Sequence, residues 1–582
     1  MAKSAASALP PEAEKNDKAI IDVLFKEKDS YQQSSREQRA EINEIYQAYA
    51  GEITDPKDRS KSQEKIMKLR TETSYIVPSI FSGSPEIEVE AIGEEDKDLA
   101  QVGEEIINYR LNTIPQAYEK IEAWVKQAVV FGTSLLNVVW KFETEEKEEI
   151  GKDGKVSKYK TPISDEPDLM VYNILDCFYN PIIPDVDSQN SIIFRSVHSI
   201  SEIRENKAYK NTEKVVSKGN SSTNVYDSSS QVRTDLIDLD KASKDTVEIY
   251  ERVTCDRLQT VADGKERVLL RDVPNRFDEY TTVKLIHEPN AIPNRFDGYG
   301  VGHNTLGLGR LIQKLSNRLL DNVNLVNTPH FLFAKGAGID KKQLVVKAGG
   351  GTEVDTKGAP LGNVIEQVQT RDISNGGVQF LNRFDDEHKK ASGATDILQG
   401  AASNDTLGQD QLASTYSSNR FELINRRFKQ ALADVGKILL FMEIENIQSI
   451  DAPILKIFPL EAEMVNGKIR YSRETVYQML IAARERKDLK FNIRIKGETN
   501  VSRNKDVLLK QFAEWYNLFG PILPPQNQLA AAKKWLELRG IDEVDKLVPD
   551  PEELPQPEQA PGQPMPTMGG ADIQGMIQQP QA

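Results

Sequence analysis

The sequence has 582 residues, a formal net charge of -15 at pH 7 and an isoelectric point of about 5.2. A chain of this length has room for about four domains. Its acidic balance argues against electrostatic wrapping of nucleic acid, which needs clustered lysine and arginine. The two cysteines, Cys177 and Cys255, lie far apart, which excludes a disulfide framework and a cysteine metal motif and fits a reducing compartment.

The sequence contains no apolar run that approaches the ~20 residues of a membrane span. The first residues, MAKSAASALPPEAEK, lack the apolar stretch of a secretory signal. We therefore expect a soluble protein that is made in the cytosol and has no membrane partner.

In chain order, residues 1–30 are polar and charged and are predicted to form a flexible lead-in. The segment 115–131 is predicted to be an amphipathic helix, because apolar side chains recur at i, i+3 and i+4 spacing from Ala117 to Ala128. Gly132 is expected to end this helix.

A strand follows the helix, since SLLNVVWKFE alternates apolar and polar residues in the way typical of a half-buried strand. Two charged hairpins are predicted to turn at Asp153-Gly154 and at Asp263-Gly264. Between them, residues 211–246 are rich in Ser, Asn, Asp and Lys and are predicted to be a mobile insertion.

Further along, five glycines fall within DGYGVGHNTLGLG at 297–309 and lead into a predicted helix at 303–327. A short helix is predicted at 377–391 and a long one at 412–447, with a polar, glycine-bearing loop between them. At 1.5 Å per residue the long helix would extend about 55 Å.

Glycines that open a helix are the usual way to hold a phosphate, so the stretch at 297–309 raises the question of a nucleotide site. Gly298, Gly300 and Gly302 are spaced by two throughout, which is not the dinucleotide spacing. No Lys-Ser or Lys-Thr follows them, and two prolines interrupt the segment before them. We therefore expect these glycines to allow a sharp, crowded entry into the helix.

Catalytic and metal motifs are equally weak in this sequence. No two of the five histidines have the spacing of a helical metal site. Asp185 and Asp187 resemble the start of a calcium loop, but the glycine and the closing glutamate are missing. No Gly-x-Ser-x-Gly elbow is present. We therefore predict no catalytic residue, no cofactor and no metal, and the chain is not expected to be an enzyme.

The order of these elements resembles a portal protein of a tailed bacteriophage, the ring at the capsid vertex through which DNA enters and leaves. Residues 116–143 are similar to the family's wing helix, turn and strand, and residues 170–206 to its strand and proline loop. Residues 293–333 resemble the entry into the first stem helix, and residues 392–440 resemble the tunnel loop and the long helix after it.

This resemblance covers residues 30–550 and implies an α+β, mainly helical portal fold that assembles as a ring around a central channel. It gives the chain the following layout: a flexible lead-in at 1–30, the wing at 31–296, the first stem helix at 297–328, the clip at 329–373, the second stem helix at 374–392, the tunnel loop at 393–411, the long helix and return to the wing at 412–505, the crown helices at 506–548, and a disordered tail rich in proline and glutamine at 549–582.

The resemblance also implies a function and its partners. Twelve subunits would form the channel for DNA packaging and ejection at the portal vertex of the virion, after synthesis in the host cytoplasm. The ring would dock the terminase large subunit first and a head-to-tail adaptor protein later, within a shell of the major capsid protein. Double-stranded DNA would pass without sequence-specific contacts.

Three groups of site residues follow from this layout. The tunnel loop would present a polar collar to DNA, the first stem helix would supply weak phosphate contacts in the channel, and the clip would be the docking face. The residues in these three roles are, in turn, Asn404, Asp405, Thr406 and Gln409; Lys314 and Arg318; and Lys341, Lys342 and Lys347.

Two other classes of protein remain open on the sequence. A nuclease or NTPase of the packaging machinery would need a phosphate-binding loop or a compact set of acidic and histidine residues, and neither is evident. Another phage structural or scaffold protein would show a simpler coiled-coil or capsid pattern, without this succession of helix, insert, helix, loop and helix.

Overall fold

The structure is a computed structural model, in which most of the chain up to Ile495 is described. The described residues are 11–52, 62–81, 86–91, 96–150, 156–217, 246–275, 279–327, 330–333, 365–368, 371–394, 407–465, 468–486 and 491–495, with a few single residues and short pieces elsewhere. The chain divides into two compact units, Met1–Lys496 and Gly497–Ala582.

Helices and strands alternate irregularly along the first unit. Its helices are α1 (Pro11–Ser34), α2 (Arg36–Ala50), α3 (Lys68–Ile80), α4 (Lys97–Thr113), α5 (Ala117–Phe131), α6 (Ile200–Glu205), α7 (Val301–Asn327), α8 (Ser374–Ser392), α9 (Leu407–Asn446) and α10 (Arg473–Glu485). Its strands are β1 (Ile87–Ala91), β2 (Thr133–Ile150), β3 (Val156–Val171), β4 (Cys177–Phe178), β5 (Ile192–Ser199), β6 (Thr246–Val253), β7 (Arg257–Asp263), β8 (Arg267–Pro274), β9 (Thr282–Ile286), β10 (Glu288–Pro289), β11 (Gly298–Tyr299), β12 (His330–Phe333), β13 (Ile365–Val368), β14 (Glu463–Val465), β15 (Lys468–Arg470) and β16 (Phe491–Ile495).

Two antiparallel sheets make up most of the strand structure. The larger has five strands in the order β4-β5-β6-β7-β8, and the smaller has three in the order β3-β2-β9. The hairpin predicted at Asp263-Gly264 is confirmed, because β7 ends at Asp263 and pairs there with Arg267 of β8. The turn predicted at Asp153-Gly154 lies outside the described residues, between the paired ends of β2 and β3.

The main core surrounds α5, which begins and ends close to where the apolar spacing predicts it. The Trp124 ring is fully buried and lies 6.3 Å from the ring of Phe428 on α9, and Phe81 packs on the same phenylalanine. The half-buried strand predicted after α5 is instead buried on both faces from Thr133 to Val138. The reason is that β2 is the central strand of its sheet at this end, and helices cover it there.

The N-terminal segment differs from the expected flexible lead-in. Residues 11–34 form α1, whose Leu24 and Phe25 are buried. The ring of Phe25 lies 5.2 Å from the ring of Tyr250 on the five-stranded sheet. The apolar run AIIDVLF supplies the buried face of α1. It was not predicted because the flanking residues are charged and make the overall composition of the segment polar. Residues 1–10 lie outside the described part of the chain.

Three helices in the second half of the unit were predicted from apolar periodicity and are confirmed as α7, α8 and α9. The start of α9 at Leu407 is five residues earlier than predicted, which reduces the length of the loop before it. Most of the insertion at 211–246 lies outside the described residues. Residues 211–217 are described, and the Asn211 side-chain amide donates to the Leu269 carbonyl of β8.

The second unit is described only at short helical pieces within the segment predicted as the crown. In one of these, the ring of Phe512 lies 5.5 Å from that of Trp515 and is stacked on Tyr516. Ala531 is buried in another. The predicted tail at 549–582 lies outside the described residues.

Candidate functional site

The glycine-rich entry into α7 packs its backbone directly on the end of α5. A Cβ atom at Gly300 would lie 2.5 Å from the Gly132 nitrogen and 2.6 Å from the carbonyl oxygens of Val129 and Val130. Gly132 itself has a φ of 88°, which side chains rarely tolerate. A helix C-terminus faces Gly300, so the groups presented here are carbonyl oxygens, which repel phosphate. The glycines therefore allow close packing, as the sequence predicts.

A histidine completes this junction. The Gly300 N–H donates to Nδ1 of His303 at 3.1 Å, which requires that nitrogen to be unprotonated. Burial lowers the pKa of His303 below its ordinary value of 6.5, and the carboxylate of Glu41 only partly offsets this shift. The neutral imidazole is therefore part of the folded structure.

This histidine predicts a pH dependence of stability. Between pH 6.5 and the lower folded pKa, the unfolded chain binds the proton and the folded chain does not. The contribution of neutral His303 to the free energy of unfolding is therefore complete above pH 6.5. It is lost as the pH falls from 6.5 through the folded pKa. We expect His303→Gln to reduce the difference between the unfolding free energies at pH 7.5 and pH 5.5, measured by denaturant titration. An unchanged difference would exclude His303 as a source of the pH dependence.

Helices α7 and α8 pack side by side as an antiparallel hairpin. Ile312 and Leu319 are the buried apolar residues in the middle of α7, and Leu319 packs so closely on α8 that a Cβ at Gly377 would lie 2.2 Å from it. The predicted apolar stripe of α7 is therefore only partly buried within one chain, because Val323 and Val326 on the same stripe are exposed.

Apolar side chains without cover are concentrated on this hairpin. These side chains lie on the flanks of both helices and at the C-terminal end of α7. The exposed residues are Leu311, Leu320, Val323, Leu325 and Val326 on α7, and Val378 and Phe380 on α8. A patch of this kind on a single chain marks a surface that another molecule covers.

The segment 62–67, called the strap below, attaches to α7 through polar contacts. The Ser62 N–H donates to Asp321 Oδ1 at 2.7 Å, and the Glu64 N–H donates to Asn317 Oδ1 at 3.0 Å. Asn317 and Asp321 are one helical turn apart, so an extended segment runs along one side of the helix.

A buried hydrogen bond between side chains attaches α8 to α3. Glu72 and His388 are 2% and 1% exposed, and Oε1 of Glu72 lies 2.8 Å from Nδ1 of His388. Glu72 Oε2 is buried without a hydrogen-bond partner. One turn earlier on both helices, Lys68 pairs with Asp385. The hairpin is therefore fixed to the α3 region by charged contacts that need correct alignment of both helices.

A cleft of about 310 Å³ lies between the strap and α7. The predicted channel residues Lys314 and Arg318 line it, one turn apart and both exposed. The carboxylates of Glu44, Glu52 and Asp321 share the lining, so the cleft has mixed charge. The structure thus brings the two cations together, on the side of α7 that faces the strap.

The other predicted site residues are not brought to this cleft by any described contact. Asn404, Asp405 and Thr406 lie outside the described residues, as do the clip residues Lys341, Lys342 and Lys347. Gln409 lies in the first turn of α9, so the described helix begins before it, and its contact with DNA stays a prediction.

Within the part of the chain that the structure describes, no three His, Cys, Asp or Glu side chains form a group that could hold a metal ion. Asp185 and Asp187 line a second cleft, of about 480 Å³, together with Lys284. In the same described part, every helix is too short or too polar to cross a membrane.

Sequence reasoning missed the buried pairs of polar side chains. Glu72 and His388 are 316 residues apart, and Arg110 on α4 pairs with Glu443 on α9 at a separation of 333 residues. Each of these residues lies on a helix face whose other residues are apolar and therefore predicted to be buried. A charged or polar residue on such a face indicates that it has a buried partner, and this was the signal available in the sequence.

Comparison with known proteins gives one family. A family model described as Phage SU10 portal protein matches residues 19–153 and 151–452, which together span most of the chain. The matched region includes α7, α8 and the whole of the passage at 392–440 that carried the resemblance. No curated protein matches the sequence.

Proposed function

This chain belongs to the Phage SU10 portal protein family and is a phage portal protein, and we propose that twelve copies of it form the ring through which DNA is packaged and ejected. Portal proteins are structural components of the capsid vertex, and the chain is expected to have no catalytic activity of its own. A homo-oligomeric ring that interacts with capsid and terminase is the general state of the family.

The observation that best supports a ring is the uncovered apolar surface of the α7–α8 hairpin. Isolated chains rarely leave so many large apolar residues exposed on two neighbouring helices. Contacts between identical subunits would cover them. These helices correspond to the first and second stem helices of the proposed layout.

The acidic charge supports passage of DNA without tight binding. Each copy carries a formal charge of -15, so a ring of twelve is strongly negative. Negative walls repel phosphates, which favours sliding over specific binding. Lys314 and Arg318 would make weak phosphate contacts where the channel reaches them, and the carboxylates that share their cleft limit the strength of these contacts.

The remaining site assignments are part of the same proposal. Asn404, Asp405, Thr406 and Gln409 would form a polar collar around DNA near the start of α9. Lys341, Lys342 and Lys347 would form the face that docks the terminase large subunit during packaging and an adaptor protein afterwards. The major capsid protein would surround the ring at the vertex.

A packaging assay tests this function. Capsids of the parent phage assembled with this chain are expected to protect full-length DNA from nuclease, and capsids assembled without it are expected to protect none. Addition of ATP and terminase to both preparations provides the matched comparison. Equal protection in the two preparations would contradict a portal function.

A further inference from the structure

The exposed apolar residues of the hairpin lie on two opposite sides of it. Val378 and Phe380 are two residues apart on α8 and therefore point in nearly opposite directions. Leu311 and Leu320 are nine residues apart on α7, which is two and a half turns, and also point in opposite directions. Each of these four side chains is between 42% and 56% exposed.

Polar contacts within the chain identify the two sides. Val378 is seven residues from Asp385, so it lies on the side where Lys68 pairs with Asp385. Leu320 is seven residues from Gln313, which lines the cleft beside the strap. Leu320 and Val378 therefore share the strap side of the hairpin, where both remain exposed. Phe380 points the opposite way from Val378 and so lies on the other side, called the open side.

We propose that Phe380 on the open side of one copy packs against Val378 and Leu320 on the strap side of the next copy. This inference rests on the proposed ring. In a closed ring every contact joins two different surfaces of the subunit, one from each neighbour. A contact that used the same side twice would give a closed dimer and leave the other apolar side bare. The occupant of each side is thus a second copy of this chain.

The chemistry of the two sides fits such a contact. Phe380 is 56% exposed, and its stacking on Phe384, with ring centroids 6.3 Å apart, holds the ring on the open side. Leu320 and Val378 are exposed aliphatic residues, and an aromatic side chain packed against apolar ones is typical of the centre of protein interfaces. Gln379, between the two apolar positions of α8, points to neither side and is exposed.

Three variants of the full-length chain test this contact. Phe380→Glu disables the open side and Val378→Glu disables the strap side. Gln379→Glu is the matched control, with the same new charge on the same helix. At equal protein concentration, we expect about tenfold fewer rings or less for the first two variants and an unchanged ring yield for Gln379→Glu, since loss of a central apolar contact typically costs that much or more. Mass photometry and negative-stain electron microscopy give the yields.

Mixing the two disabled variants provides the sharpest result. Each retains one working side, and these two sides are complementary, so the mixture is expected to form one-to-one dimers that do not extend. Thermal unfolding confirms that each variant is folded, and Phe380→Ser and Val378→Ser replace any glutamate variant that is not. Rings from Phe380→Glu or Val378→Glu at the wild-type yield, or dimers of either variant alone, would overturn the inference while leaving the portal function intact. A wild-type chain that forms no ring would instead count against the proposed function itself.

Discussion

Gly300→Ala is expected to lower the free energy of unfolding by about 3 kcal/mol, the upper end of the usual cost of overpacking. The added methyl group would meet three backbone atoms of α5 and Gly132 within 2.6 Å, and backbone atoms cannot swing away as a flexible side chain can. The entry into α7 would have to separate from the end of α5, which loosens the connection between the central core and the hairpin.

Gly307→Ala is the control for this variant, because Gly307 lies on α7, the helix that directly follows Gly300, and a Cβ there would meet no atom within 4 Å. Alanine is the better helix former, so this change is expected to be neutral or to stabilise by up to about 1 kcal/mol. Denaturant titration followed by tryptophan fluorescence measures both, since Trp124 lies two turns before Gly132 on α5. Equal stability of the two variants would show that the junction does not pack as described.

Glu443→Ala is expected to destabilise the chain by about 3–5 kcal/mol, the usual cost of removing one partner from a buried ion pair. Glu443 is 1% exposed and accepts a hydrogen bond from Arg110 Nε, between α9 and α4. Without Glu443, the buried Arg110 guanidinium retains one carboxylate partner, Glu166, whose Oε2 lies 3.0 Å from Arg110 Nη1. The Glu166 side chain is 31% exposed, so it replaces the buried Glu443 carboxylate only in part.

The double variant Arg110→Met with Glu443→Leu is the control, because it removes both charges and fills the space with apolar atoms. It is expected to be more stable than Glu443→Ala, since no uncompensated charge stays buried. The same denaturant titration serves for both. A single variant as stable as the wild type would mean that Arg110 finds full compensation elsewhere.

Local periodicity is sufficient to predict the helices that position the site. The apolar spacing of α5, α7, α8 and α9 gives their existence and approximate ends, and the crowding at Gly300 agrees with the expectation that glycine is needed for a tight entry. The helices depend on residues within a few turns of one another, which is the range that a sequence pattern reports, whereas the atoms that crowd Gly300 belong to Val129, Val130 and Gly132 and were not predicted.

Features that depend on distant residues were not predicted. The burial of β2 on both faces depends on helices from elsewhere in the chain, and α1 forms because its apolar stripe meets the five-stranded sheet. The pairing of Glu72 with His388 joins segments 316 residues apart, so no local pattern could assign it. The helical start at Leu407 was also not predicted, because it falls in a stretch whose composition is typical of a loop.

Assembly into a ring is the central claim, and electron microscopy of the purified full-length chain tests it most directly. We expect closed rings of twelve subunits, viewed along the axis, with a central channel wide enough for duplex DNA. Monomers, closed dimers or open filaments as the main species, at protein concentrations where portal rings would persist, would contradict the account.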